Sequence, residues 1–429
     1  VSKTTSGVVP GLLADLEARG LVHSQSQPDL GKWLDREPIT LYCGFDPTAD
    51  SLHAGHLIPL LTLARFQRHG HVPIVVMGGG TGMIGDPSGK SEERNLLDLS
   101  TLQANLDAQR SQFANILDFD NSENPALMLN NFDWLSELDL IAFLRDVGKH
   151  FPMSVMLSRE SVRSRLDSAA GLSFTEFTYQ VMQAYDFYHL YTHHDCRLQV
   201  GASDQYGNIL AGVDFIRRMH GAEERASGLV FPLLTTATGQ KMGKTARGAI
   251  WLDPKQTSPF DWYQYWFNTD DADVMTYLRM MTLLGLDEIA EVEQRMLGEP
   301  AGRLAQRTLA FELTRLVHGE ESAEKTRQAS EELFGQDRGQ SRPGEETPVT
   351  TISRADLRDG LPVIQALVSA GLAASNAEAK RLLRQGGVSV DGRRLTADDR
   401  CLNEAAFAQG GTILIAVGAR KRVIFQAID

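Results

Sequence analysis

The strongest constraint on the fold lies between residues 38 and 80. Pro38 to Phe45 reads as a buried strand, His56 to His69 places Leu57, Leu60, Leu61 and Ala64 at helical spacing, and Val72 to Met77 is a β-branched apolar run. Pro59 falls in the first turn of the helix, where a missing N–H costs nothing, and Gly70 ends it. Strand, helix, strand is a βαβ unit, which joins parallel strands and needs a sheet covered on both faces. Apolar runs at Leu127 to Leu129 and Leu198 to Val200, with a helical pattern from Phe174 to Tyr191 between them, extend the sheet. Residues 1–250 therefore read as a doubly wound, Rossmann-like α/β domain with a connecting insertion at about 95–150.

The chain of 429 residues has room for about three domains. From Pro259 onward helical periodicity takes over, through Met275 to Leu284, Ile289 to Met296 and Leu304 to Val317, so an α-helical domain is expected over 251–334. Gly335 to Pro348 has linker composition, which sets the expected linker at 335–350. A small α+β domain over 351–429 follows. In it a basic helix, Ala377 to Gln385, is stopped by Gly386-Gly387, and Val388 to Val390 and Thr412 to Val417 alternate as short strands.

Composition narrows the classes of function. The longest apolar stretch, Val72 to Ile84, is cut by Pro73 and a glycine triplet, short of the roughly 18 apolar residues of a membrane span. No secretory signal is visible, and Cys43, Cys196 and Cys401 fit neither a disulfide framework nor a CxxC zinc pattern, so a reducing cytoplasm is the expected compartment. The chain opens on Val1, consistent with residues upstream of it. A net charge of −13 argues against a nucleic-acid partner on average. The average conceals an asymmetry: from Thr351 onward there are 11 Lys plus Arg against 8 Asp plus Glu, net +3, leaving −16 for the rest.

Three constellations carry chemistry. His53-Ala54-Gly55-His56 sits where the first strand hands over to the first helix, the crevice in which open α/β sheets bind ligands. Helix N–H groups, two imidazoles and a glycine that admits a close approach suit phosphates there, although the histidines could equally be loop and cap residues. Gly239-Gln240-Lys241-Met242-Gly243-Lys244-Thr245 carries two lysines and a hydroxyl on a glycine-rich segment able to close over phosphates. Alone it is no more than a basic loop; paired with the histidines it points to adenylyl transfer. Gly85-Asp86-Pro87-Ser88-Gly89-Lys90-Ser91 falls short of a P-loop, having three residues between its glycines where four are needed. Lys90 and Arg94 could instead reach pyrophosphate, and Asp86 an amino group.

On these motifs the sequence resembles the bacterial-type tyrosyl-tRNA synthetases, class I aminoacyl-tRNA synthetases, over essentially its whole length. The HxGH and KMxKS-like motifs indicate the class. Tyrosine is indicated by Tyr42-Cys43-Gly44-Phe45-Asp46-Pro47-Thr48, by Thr178-Tyr179-Gln180-Val181-Met182-Gln183-Ala184-Tyr185-Asp186 and by Gly201-Ala202-Ser203-Asp204-Gln205. The resemblance implies that Tyr42 and Asp186 bond the substrate phenol, that Asp86, Tyr179 and Gln183 hold its α-ammonium, and that Gln205 completes the amino-acid site. It assigns Cys43, Gly44, Asp46, Gly55, Gly201, Asp204, Lys241, Met242 and Lys244 to ATP. Thr48, His53, His56, Lys90, Arg94, Lys241, Lys244 and Thr245 would stabilise the transferring phosphates. Two departures, Ala202 for a glycine and Tyr206 for a tryptophan, touch the ribose side.

Tyr179, Gln183 and Asp186 fall at i, i+4 and i+7 and so share one helix face, where three polar groups call for a polar ligand. No protein-bound metal is expected, Mg²⁺ arriving with the ATP phosphates. The C-terminal module resembles the S-four RNA-binding fold, which assigns Lys380, Arg381, Arg384, Arg393 and Arg394 to tRNA. The same residues also suit a solvated basic face. The implied partners are L-tyrosine, ATP and tRNA(Tyr), with the protein a homodimer and no membrane. Three other readings stand beside this one: the sister tryptophanyl enzyme, a small HxGH nucleotidyltransferase, and a non-catalytic RNA-binding protein on a synthetase-like scaffold.

Overall fold

The computed structural model describes residues 11–88, 97–166, 171–223, 225–235, 242–245, 248–334, 349–358, 360–396, 399, 401–407, 411–418 and 421–428. Five strands run parallel: Thr40–Phe45 (β2), Val72–Met77 (β3), Leu127–Asn130 (β4), Cys196–Ala202 (β5) and Ser227–Phe231 (β6). Ser24–Gln25 (β1) closes the edge antiparallel to β6, giving the order β1-β6-β5-β2-β3-β4. The chain adds β3 and β4 on one side of β2, then returns to lay β5 and β6 on the other, so the winding reverses between β2 and β5. A crevice opens beyond the carboxyl ends of the strands at such a reversal. Neither β1 nor β6 is anticipated from sequence, because β1 is two residues long and β6 opens on Ser227-Gly228, which dilutes its apolar run.

Among the helices of this unit are Leu12–Ala18 (α1), Leu57–Arg68 (α2), Leu99–Ala114 (α3), Phe132–Leu135 (α4), Phe174–His194 (α5) and Tyr206–His220 (α6). On one face of the sheet Tyr42, Ile74 and Val76 meet Phe187, Leu190, Val213 and Ile216 of α5 and α6. Phe45, one position out of phase with that set, meets Phe113 of α3 edge-on at 5.1 Å between centroids. The Ser173 hydroxyl accepts from Glu176 N at the start of α5, and Asp195 ends that helix in the left-handed region at φ 49°. A two-stranded ribbon, Lys244–Thr245 (β7) with Gly248–Ala249 (β8), follows β6.

Five helices come next: Pro259–Phe267 (α7), Asp271–Met281 (α8), Leu286–Gly298 (α9), Leu304–His318 (α10) and Glu320–Phe334 (α11). Contacts divide the chain into one unit of residues 1–257 and 270–305 and another of 258–269 and 306–429. Thus α8 and α9 belong with the sheet. Arg19 donates to the carbonyls of Arg279 at 3.2 Å and Leu284 at 2.9 Å, and the buried Arg65 of α2 donates to that of Thr282. The helical stretch expected as one domain over 251–334 is shared between the two units.

The second unit holds α7, α11 and most of α10, together with Val349–Ser353 (β9), Val363–Ser369 (α12), Asn376–Arg384 (α13), Val388–Val390 (β10), Arg393–Arg394 (β11), Thr412–Val417 (β12) and Lys421–Ile428 (β13). Its sheet runs β11-β10-β12-β13-β9, with β9 parallel to β13. Ile413, Ile415 and Val417 alternate into a core with Leu367, Leu383 and Phe425. From the opposite face Leu414 and Ile424 pack on Phe260, Ala329 and Leu333 of α7 and α11. The expected linker at 335–350 ends early: Val349 and Thr350 already pair with Ile424 and Phe425, a contact distant in sequence and without local signature. Residues 335–348 of that linker lie outside the described ones.

Candidate active site

Beyond the carboxyl ends of β2 and β5 lies a cavity of about 710 Å³. At its mouth the backbone turns from β2 into α2 through a short 3₁₀ turn, Ala54–His56, closed by a reciprocal cap. His56 Nδ1 accepts from His53 N at 3.0 Å, and His53 Nδ1 accepts from Gly55 N at 3.1 Å. With both Nδ1 atoms accepting, each ring carries its proton on Nε2 as a donor. Burial, reinforced by the neighbouring His53, pushes the His56 imidazole well below its ordinary range, so it is neutral. The rings stack at 4.0 Å. Gly55 is required here, since a Cβ would sit 2.9 Å from the His53 ring.

Met242 and Gly243 of the glycine-rich basic segment come to this same place. His53 bridges Trp251, Ala54 N donates to Ile250 O at 2.8 Å, and Ile250 N donates to Gly243 O at 3.0 Å. Gly243 has φ 83° and lies so near that a Cβ on it would be 3.2 Å from Gly55 N. Met242 lines the cavity. The two motifs, almost 190 residues apart in the chain, thus form one wall.

The deep end is polar and buried. Tyr42 hydroxyl has no hydrogen-bond partner among the described residues and is enclosed, with burial pushing it well above the usual phenol range. Asp186, also enclosed, accepts from Trp134 Nε1 at 2.7 Å on one oxygen and from Asn131 Nδ2 at 3.0 Å on the other. Burial raises its carboxyl to about 7 against the opposing pull of those two donors. Asn131 passes the network to Thr81 Oγ1 at 2.9 Å, which donates to Asp46 at 3.2 Å; Asp46 in turn accepts from the Tyr179 hydroxyl at 3.2 Å. On the opposite wall Gln205 donates to Asp86 at 2.7 Å and Asn208 to Gln183 at 3.0 Å. An unsatisfied phenol beside a tethered carboxylate at the end of a slot suits a ligand bearing its own hydroxyl.

A family model described as tRNA synthetases class I (W and Y) matches residues 34–335, and an S4 domain model matches 362–402. The tyrosine–tRNA ligase of Roseiflexus castenholzii is 50% identical over 402 residues, 90% of this chain and 94% of its own. That of Geobacillus stearothermophilus is 47% identical over 424 residues, 96% and 98%. The chain belongs to the class I tyrosyl-tRNA synthetases. Among solved structures, a C-terminally truncated mitochondrial tyrosyl-tRNA synthetase of Aspergillus nidulans is similar at a TM-score of 0.70 and 32% identity, covering 76% of this chain and 95% of that one.

In this synthetase the cavity gathers Tyr42, Cys43, Gly44, Asp46, Thr48, His53, Gly55, His56, Asp86, Tyr179, Gln183, Asp186, Gly201, Asp204, Gln205 and Met242, all of them expected from sequence. Lys90, Arg94 and Lys241 lie outside the described residues; Lys244 and Thr245 are described as the backbone of β7. Of the two departures, Ala202 lines the cavity and Tyr206 donates to Gln25 O at 3.5 Å. Sequence reasoning missed Thr81, Asn131 and Trp134. Asn131 and Trp134 follow a four-residue strand with no periodicity to mark them, and their partner Asp186 is more than fifty residues away.

In the second unit Lys380, Arg381 and Arg384 of α13 and Arg393 and Arg394 of β11 are all exposed. The β10–β11 hairpin turns through Asp391 at φ 46° and Gly392 at φ 81°, pairing Ser389 with Arg394. It returns beside the end of α13, where a Cβ on Gly386 would sit 3.2 Å from the Arg394 stem. Helix and hairpin therefore contribute to one basic face.

Proposed function

We propose that this tyrosine–tRNA ligase joins L-tyrosine to ATP with release of pyrophosphate, then passes tyrosine from the adenylate to the terminal adenosine of tRNA(Tyr). The observation that carries the reading is that one cavity is lined both by the unsatisfied Tyr42 hydroxyl with Asp186 and by the His53/His56 turn with Met242. A phenol donates to Asp186 and accepts from Tyr42; phenylalanine leaves the Tyr42 hydroxyl buried and unpaired and adds nothing to the two donors Asp186 already has. Asp86, Tyr179 and Gln183 then take the α-ammonium, with Gln205 orienting Asp86.

The substrate carboxylate is ionised at neutral pH and attacks the α-phosphorus without a general base. What needs stabilising is charge on the phosphoryl oxygens and leaving pyrophosphate. His53 and His56 suit this, their Nε2–H donors fixed by the reciprocal cap; Thr48, Lys90, Arg94, Lys241, Lys244 and Thr245 join them. Cys43, Gly44, Asp46, Gly55, Gly201, Asp204 and Met242 border the nucleotide. Asp46 and Asp86 already accept from protein donors, which fits a Mg²⁺ carried by the triphosphate rather than caged by side chains.

Lys380, Arg381, Arg384, Arg393 and Arg394 would take tRNA phosphates, with the helices of 251–334 reaching the anticodon arm. We place the enzyme in the cytoplasm as a homodimer. Leu140, Ile141 and Phe174, exposed at 67%, 68% and 75%, offer apolar surface for the second copy. Amino-acid-dependent ATP–pyrophosphate exchange with all twenty amino acids tests the reading: tyrosine alone should support exchange, and equal exchange with tryptophan would overturn it.

A further inference from the structure

Asp186 does not hold its two donors unaided. Trp134 stands on α4, a helix of four residues, and its indole is the donor to Asp186 Oδ1 at 2.7 Å. The His189 imidazole lies flat against that indole, with centroids 4.4 Å apart and planes 13° from parallel. Asp186 and His189 are three residues apart on α5, hence on one face of the helix. The same helix therefore presents the acceptor for the indole N–H and the ring that covers the indole plane. Behind His189 stands His193, one further turn along, stacked at 4.2 Å and 20°. Its Nδ1 is tied to His189 O at 2.9 Å.

Burial, with His193 and His194 adding to it, holds the His189 imidazole down at about 4. The ring on Trp134 is thus neutral near pH 7 and stacks without bringing a cation towards Asp186. A neutral ring contributes only dispersion and a fixed plane, which is what an indole on a one-turn helix lacks. Without it the indole, otherwise buried in the core, loses the ring that covers one of its faces, and its 2.7 Å bond to Asp186 is held less firmly.

We infer that His189 is a positioning residue for amino-acid selection: by stacking on Trp134 it fixes the indole N–H on Asp186 and so keeps that carboxylate aimed at the substrate phenol. The inference rests on the proposed role of Asp186. It requires an aromatic plane at position 189, not an ionisable group.

The test is pyrophosphate exchange in the full chain with His189→Leu, which keeps volume but has no π face, and His189→Phe, which restores the face without the nitrogens. His189→Leu should raise the tyrosine KM by roughly three- to tenfold, the range a lost aromatic pair supports, with kcat little changed. The phenylalanine KM should stay put, so the tyrosine-to-phenylalanine ratio falls by the same factor. His189→Phe should return both to within about twofold of wild type, as stacking alone is preserved. Leu and Phe variants that behave alike, whether both normal or both impaired, would overturn the inference. Asp186→Ala, run alongside, separates the two layers: if it collapses the preference while His189→Leu does not, only the role of His189 fails, whereas if it leaves the preference intact the reading of Asp186 fails. Thermal midpoints of each variant distinguish lost selection from lost fold.

Discussion

At the scale of single residues the site works by opposing tendencies held in one place. Burial drives Asp186 towards its neutral form, while Asn131 and Trp134 favour the anion, and the result is a carboxyl that titrates at about 7. Because the phenol donates to the ionised form, tyrosine should bind more tightly as pH rises through about 7. Asn131→Ala removes a donor that favours the anion, so the inflection should move to higher pH, with weaker tyrosine binding at neutrality. Equilibrium dialysis of tyrosine between pH 5.5 and 8.5, on the order of one unit either side of that inflection and beyond, checks this; an unmoved inflection would show that Asn131 does not tune the carboxylate. Near the nucleotide the logic reverses. His56 is kept neutral by burial and given its N–H by a backbone cap, so its contribution should persist across the neutral range.

At the scale of elements, position follows from how each segment starts and stops. The HxGH turn ends where α2 begins, Gly70 ends α2 at φ 87°, and Asp195 ends α5 at φ 49°, so the two helices that carry or border the site have defined ends. α5 is anchored at its first turn by a buried pair: Arg165 donates to both Glu176 oxygens, at 2.9 and 2.8 Å. Arg165→Met leaves a buried carboxylate without its cation, which should cost about 3–5 kcal/mol, read by urea unfolding; a loss under about 1 kcal/mol would class the pair with surface ion pairs. Patterning made most of this scale legible. The run at Val72 to Met77 is β3 without adjustment, and Phe174 to Tyr191 falls within α5. The single face carrying Tyr179, Gln183 and Asp186 follows from helix geometry alone, and all three line the cavity. What stayed hidden depends on distant pairing: β9 exists through β13, β1 through β6, and Trp134 matters only through Asp186 and His189.

At the scale of the whole molecule, a chain of net charge −13 carries a net +3 from residue 351 onward against −16 before it, which suits that module to an anionic partner. The five basic side chains on α13 and β11 are all exposed, and Arg393 among them pairs with Asp399 at 3.0 Å. Removing the module outright would strip the cover from Phe260 and Leu333, so charge substitution is the cleaner probe. Lys380→Glu with Arg381→Glu and Arg384→Glu should leave tyrosine activation unchanged, raise the KM for tRNA by at least about tenfold at low salt, and flatten its salt dependence. An unaltered KM for tRNA would remove this face from the binding surface. On the proposed reading catalysis remains with the sheet unit, where a single cavity joins a phenol-selecting end to a phosphate-handling end. The most direct measurement is single-turnover adenylation by wild type and Asp186→Ala with tyrosine and with phenylalanine. The preference for tyrosine should fall by roughly ten- to a hundredfold in the variant, as expected for a lost buried hydrogen bond, with the phenylalanine rate nearly constant; a preference equal to that of wild type would contradict the account.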